Sequence, residues 1–471
     1  MADPICFAVA DALDGLFRLE RRSPTLRGSV PLRVAQACVP LLQGNAFGWQ
    51  LVLPQKWSLR RGSLGYTLDL DDDTLAGLRQ RYQQGLRRAL SAGWLRDGGP
   101  WHRFLTEQAL FLAPPRRLGR KPVLTLWTGL LVRPERGLGL RLLAVGNRRS
   151  HSWLLSETLY AATESATESA TDSPGEPGLI PLCLSLSLSP AAQGSARVPL
   201  GGELACLAVM PLAATFAVRS LAECTEVGRA HCDFFDASYF RHKEGSATRR
   251  YRKQIKVRAE DSPPPPLDGD RFGVRYAAEV IVAGPTEFDL VSEDTLVTSQ
   301  GPEPVSRPPQ APRLQHVVFR NLLDFRARFD GASVSIDFDA RQLEGKAQPL
   351  WQSFRRCYGD TFVDQHPGAL LYLSKYFTTH PPGEPHFFVK PWAFTRTPPG
   401  CSILVDGCPG DGYEVLRGVI ACDQFHATPA VFSVQRSDDW LPVPARTPLL
   451  RLWALPRSLL AASYRSLRPP P

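Results

Sequence analysis

The chain has 471 residues, of which 43% are hydrophobic and 21% charged, and it carries a formal net charge of +9 at neutral pH. That length exceeds one ordinary core and predicts two domains, while the balance of apolar to charged residues excludes a disordered chain. Nowhere does it hold a run of about 18 uncharged apolar residues, and Met1-Ala2-Asp3-Pro4 lacks the regions of a signal peptide, so the sequence reads as cytoplasmic, neither secreted nor membrane-spanning.

Only eight of the 55 basic residues are lysine, so an acidic partner is argued only where arginines cluster. None of the ten cysteines forms a C-x-x-C pair, and the spacings Cys224 to Cys232 and Cys401 to Cys408 do not suit zinc. Buried, reduced thiols are expected.

In chain order, the first clear segment is Leu32 to Leu53, where Gly44-Asn45 breaks the chain before an alternating strand that stops at Pro54. A helix is predicted over about 71–92, since Leu75, Leu78, Tyr82, Leu86 and Leu90 recur at helical spacing. Its arginines, among them Arg79 and Arg87, are either solvated or available to an anion or a peptide. Short strands are expected from Val123 to Arg219; Leu182 to Ser189 alternates with period two, as a sheet with one wet face does. The Thr-Glu-Ser-Ala repeats within about 162–178 read as a flexible loop.

A basic stretch from Arg241 to Arg258 and the run Pro263-Pro264-Pro265-Pro266 mark a linker. The proline-rich stretch Pro302 to Pro312 reads as a long loop or a second linker, Ser333 to Phe338 as a strand, and Gln348 to Tyr358 as a short helix.

The two halves share spacings. Val198-Pro199, Leu204, Leu207 and Met210-Pro211 match Val443-Pro444, Leu449, Leu452 and Leu455-Pro456 at one constant offset, and Leu142 to Gly146 matches Ile403 to Gly407 less strictly. Two copies of one module follow. The expected fold is mainly β: two tandem β-sandwich or jelly-roll-like domains with a few peripheral helices. They span 1–240 and 271–471, joined by the linker 241–270.

Pro391 to Ser402, Leu416 to Asp423, Pro448 to Pro456, Cys38-Val39-Pro40 with Gly48-Trp49, and Phe234 to Arg252 resemble a bacterial and phage domain family of unknown function. In the first half its tryptophan–proline motif is reduced to Trp127 and Arg133-Pro134. The resemblance implies a β-sandwich or jelly-roll and no particular chemistry. More loosely, a duplicated β protein of this kind is similar to the peptide-binding proteins that assist tailoring of ribosomally made peptide natural products, as in crocagin biosynthesis.

Two clusters are candidates for chemistry. His231-Cys232-Asp233, with a distal His316 or His386 and Arg326 or Arg396 ten residues on, has the form of a non-haem iron site. His380, His386, Asp423 and His426 can hold a metal or act as acid and base if they meet on one sheet face; surface or hydrogen-bonded histidines are the plainer reading. No nucleophile elbow, P-loop or dinucleotide fingerprint is present.

The function expected is therefore capture of an extended precursor peptide on a sheet edge or groove, during tailoring of a ribosomally made peptide and with no cofactor. Trp392, Arg396, Arg79 and Arg87 are the expected peptide contacts. Other enzymes of the pathway are possible partners, and neither membrane nor nucleic acid is expected. The alternatives are an Fe(II) oxygenase or cyclase acting on that peptide through the histidine cluster, and a structural or assembly role.

Overall fold

A computed structural model describes residues 5–9, 17–22, 39–52, 56–61, 66–70, 75–107, 116–118, 121–135, 137–146, 153–162, 178–188, 195–198, 202–224, 276–307, 313–365, 374–379, 382–408, 413–422, 426–427, 430–434, 439–461 and 465–467. The repeats at 163–177 and the linker at 241–270 lie outside them. The fold is mainly β, with strands numbered β1 to β32 in chain order. No described helix is long and apolar enough to cross a membrane.

Three sheets belong to the first half. The first runs β32 (Arg465–Leu467), β1 (Ile5–Val9), β7 (Lys121–Pro134), β11 (Ile180–Leu188), β9 (Trp153–Leu155), with β6 (Arg116–Leu118) beside one end of β7. The second runs β18 (Gly301–Ser306), β17 (Thr295–Thr298), β10 (Thr158–Ala161), β8 (Leu138–Leu143), β13 (Glu203–Pro211), β3 (Trp49–Val52), β2 (Arg18–Arg21). The third is β12 (Ser195–Val198), β4 (Trp57–Arg61), β5 (Tyr66–Leu70).

The second half repeats this plan. Its counterpart of the second sheet runs β27 (Gly418–Ala421), β25 (Cys401–Gly407), β31 (Pro448–Pro456), β19 (Gln315–Arg320), β16 (Phe288–Ser292). Strand for strand, this is the order β10, β8, β13, β3, β2. The small sheet recurs as β30 (Leu441–Val443), β20 (Phe325–Phe329), β21 (Val334–Phe338). The first sheet recurs split in two: β14 (Ala214–Ser220), β15 (Tyr276–Val282), β24 (Ala393–Arg396), β28 (His426–Ala427), and β22 (Phe377–Thr379), β23 (His386–Val389), β29 (Ala430–Val434), β26 (Tyr413–Val415). Registers agree as well. Leu207 lies between Leu142 and Trp49 as Leu452 lies between Val405 and Val317.

The split occurs at one backbone feature. Val9 opposite Leu130 and Val282 opposite Ala393 end equivalent pairings, so Gly129 and Trp392 hold the same place, and both have positive φ, 78° and 42°. Glycine adopts that conformation without a Cβ clash; tryptophan does so only under strain. Trp127, matched to Trp392 by sequence spacing, stands two residues earlier.

The halves also exchange strands. β14 pairs in parallel with β15, β32 pairs in parallel with β1, and β17 adds in parallel to β10. β13 has two apolar faces: Ala205, Leu207 and Val209 join the first core, while Cys206, Ala208 and Met210 join the second.

Helices α1 (Val39–Ala46), α2 (Leu75–Ser91), α3 (Pro100–Glu107), α4 (Ala340–Tyr358) and α5 (Asp360–Gln365) are peripheral. α2 is the helix that periodicity predicts, and Tyr82 meets Trp127 edge-on at 5.6 Å. α1 replaces the expected break at Gly44-Asn45. Gly44 lies against the other half there, where a Cβ would sit 2.5 Å from the Arg417 carbonyl oxygen. α4 starts eight residues before the expected position, because Asp339 caps it through the Arg341 and Gln342 amides. The stretch around Pro302 is strand β18, not linker; an edge strand tolerates proline because its outer N–H has no ladder partner. The serines of β11 are half-buried rather than wet.

Candidate functional site

Not all of the residues singled out by sequence lie within the described residues. His380 and Asp423 lie outside the described residues, as do His231 and Asp233. His386 is fully buried on β23, opposite Ser433, while the backbone of His426 lies opposite Thr395 in a different sheet. Among the described residues no three His, Cys, Asp or Glu side chains converge as a metal site.

Trp392 is buried, its indole N–H donates to the Ser374 carbonyl at 2.9 Å, and its ring meets Tyr376 edge-on at 5.5 Å. Arg396 donates through Nε to Glu279 at 2.6 Å, and Arg326 does the same to Asp337 at 2.6 Å. Arg79 and Arg87 are exposed on α2, with no ion-pair partner among the described residues.

Sequence reading missed a buried ionic network where the halves meet. Asp406 and Arg451 are directly opposite on β25 and β31 and pair at 3.0 Å. Arg417 grips Asp406 with bonds of 2.9 and 3.1 Å and donates to the Ala144 carbonyl at 2.8 Å. Arg451 grips Glu157 at 2.5 and 2.7 Å; Arg141 reaches Glu157 at 3.1 Å and Glu293 at 2.6 Å. Arg141, Arg451 and His316 surround the Trp453 ring at 5.3, 4.9 and 5.1 Å.

The network is balanced, three guanidiniums against three carboxylates. Burial alone would raise the Glu157 carboxyl, but Arg451 and Arg141 outweigh it and hold it at about 2. Burial, then the charges of Arg141 and Arg451, push the His316 imidazole down to about 3, so it is neutral at pH 7. Burial raises the neighbouring Cys408 thiol to about 11 and raises Cys206, which keeps both protonated and poor as nucleophiles. This geometry joins the halves across β8, β25 and β31. The sequence signal for it is a lone charge in each apolar strand, Arg141, Asp406 and Arg451.

The second feature is the free edge at β16. Arg320 N–H donates to the Glu287 carbonyl and Glu293 N–H to the Leu314 carbonyl, both at 2.9 Å, which fixes the phase of the β16–β19 ladder. Glu287, Asp289, Val291 and Glu293 therefore turn their backbone groups inward, and Phe288, Leu290 and Ser292 turn theirs outward. No described strand pairs with that outer side. Leu290 is 45% exposed and Val291 36%.

Two other edges are blunted. β2 carries exposed Arg18, Glu20 and Arg21, and the β14 edge is capped where the Gln315 side chain accepts from Phe216 N–H at 3.1 Å. No protein-family model matches this chain, and no curated protein matches it.

Proposed function

We propose that this protein binds an extended peptide by strand addition, and that it serves in the tailoring of a ribosomally made peptide as a carrier of the precursor. One observation carries the reading: β16 is an edge strand whose outward backbone groups have no described partner and whose Leu290 and Val291 are exposed. Strand addition draws affinity from main-chain hydrogen bonds and specificity from alternate side chains. The similarity to peptide-binding tailoring proteins supports the choice of peptide. Arg79 and Arg87, exposed on α2, are then available to a charged flank of it.

The test is native mass spectrometry of the protein with short peptides encoded beside its gene. A complex with unchanged peptide mass is expected. An altered peptide mass, or a retained metal, moves the assignment to an enzyme, and assembly without any peptide moves it to a structural role.

A further inference from the structure

The five-strand sheets of the two halves end on topologically equivalent strands, β2 and β16, whose edges have opposite character. β2 reads Arg18-Leu19-Glu20-Arg21, and a second β-chain laid beside it meets charges on both faces. β16 reads Phe288-Asp289-Leu290-Val291-Ser292, with one charge, and Arg320 neutralises Asp289 at 2.5 Å. The Asp289 charge is thus paired, Leu290 is exposed on one face, and Val291 is exposed on the other beside that ion pair. Phe288 packs on Phe319 at 6.2 Å and leaves Leu290 beside it on the same face, while Val291 faces the other way.

The inner ends of these sheets are closed by the opposite half: β17 adds to the outer side of β10, and α1 packs on β27. Strand addition from another piece of chain is therefore already how this molecule completes a sheet.

We infer, resting on the peptide reading above, that the chain is a fused two-fold pair in which, of the two equivalent edges β2 and β16, the second half's takes the peptide, as one extended segment along β16. The segment is about five residues long, matching the strand it joins. It is uncharged, with an apolar side chain beside Leu290 and another over Val291, and it contributes backbone N–H and C=O groups to Phe288, Leu290 and Ser292.

The probe is a five-residue synthetic peptide of valine and threonine with valine on both faces, together with an analogue N-methylated at every residue, which keeps the side chains and loses the donors on both edges. Calorimetric titration of the full chain and of Leu290→Lys is the measurement, with native mass spectra for stoichiometry. Expected are one peptide per chain, at least a tenfold loss with Leu290→Lys, and no binding of the N-methylated analogue. Leu290 is partly exposed, so the variant retains the fold, checked by circular dichroism.

Two peptides per chain, or binding indifferent to Leu290→Lys, overturns the single-edge assignment and leaves the peptide reading standing. So does binding of an encoded precursor but not of the probe. A dimer of the chain that Leu290→Lys dissolves assigns the edge to a second copy and overturns the inference. Failure of every peptide, encoded or synthetic, sinks both.

Discussion

Asp406 accepts from two buried arginines, Arg417 and Arg451. Asp406→Asn leaves Arg417 and Arg451 buried with less than their countercharge, which costs about 3–5 kcal/mol when one partner of a buried pair is removed. The loss is read as a lowered urea midpoint. His316 provides a second prediction. The unfolded chain binds its proton near pH 6.5 and the folded chain only near 3, so stability is complete above about 6.5 and falls as the pH drops through that interval. The slope reaches about 1.4 kcal/mol per pH unit. Glu157, depressed to about 2, adds a loss in the same direction below its ordinary value. Urea unfolding from pH 7 to pH 4.5 is expected to show this slope, and His316→Gln to flatten it. Both residues were open to reading in principle, His316 as a histidine in an apolar strand and Asp406 as a carboxylate in another. What could not be read is their company, because Arg141, Glu157 and Glu293 arrive from strands far away in sequence.

At the scale of elements, the positive-φ position shared by Gly129 and Trp392 separates backbone cost from packing cost. Gly129→Ala is expected to cost about 1–2 kcal/mol, the price of a left-handed conformation. Trp392→Ala keeps the strained φ and also loses a buried indole and its bond to Ser374, about 3–5 kcal/mol. Chemical denaturation of the two variants distinguishes them. Local signals served well where an element is decided locally: the apolar spacing of α2, the alternation of β21, the Val-Pro pairs at 198 and 443 that end β12 and β30. They failed where a neighbour decides. Gly44-Asn45 looks like a break until Arg417 and Gly418 are placed against it, and the prolines of β18 look like linker until the strand is seen to lie at an edge.

For the whole molecule, strand exchange means that covalent continuity between the halves is not what holds them together. An engineered protease site between residues 225 and 275, cut after folding, is expected to yield two fragments that co-elute under native conditions and separate only in denaturant. Each fragment keeps strands belonging to the other's sheets, β14 on one side, β17, β18 and β32 on the other. Fragments that drift apart without denaturant would show that the exchanged strands and the ionic network contribute little. The repeated module was legible from a handful of constant offsets, since equal spacings survive in equal strand orders. The exchange was not, because parallel pairing between strand ends leaves no periodicity in the chain.

The parallel step from β14 to β15 has its mirror in the parallel step from β32 to β1. A connection made from residue 467 round to residue 5 would therefore repeat, on the opposite side of the molecule, the passage the chain already makes between residues 220 and 276. In topological terms the fold is a ring of two turns opened at one of two equivalent places. Circular permutants that open it at the other place and splice the present ends are expected to reach the same structure.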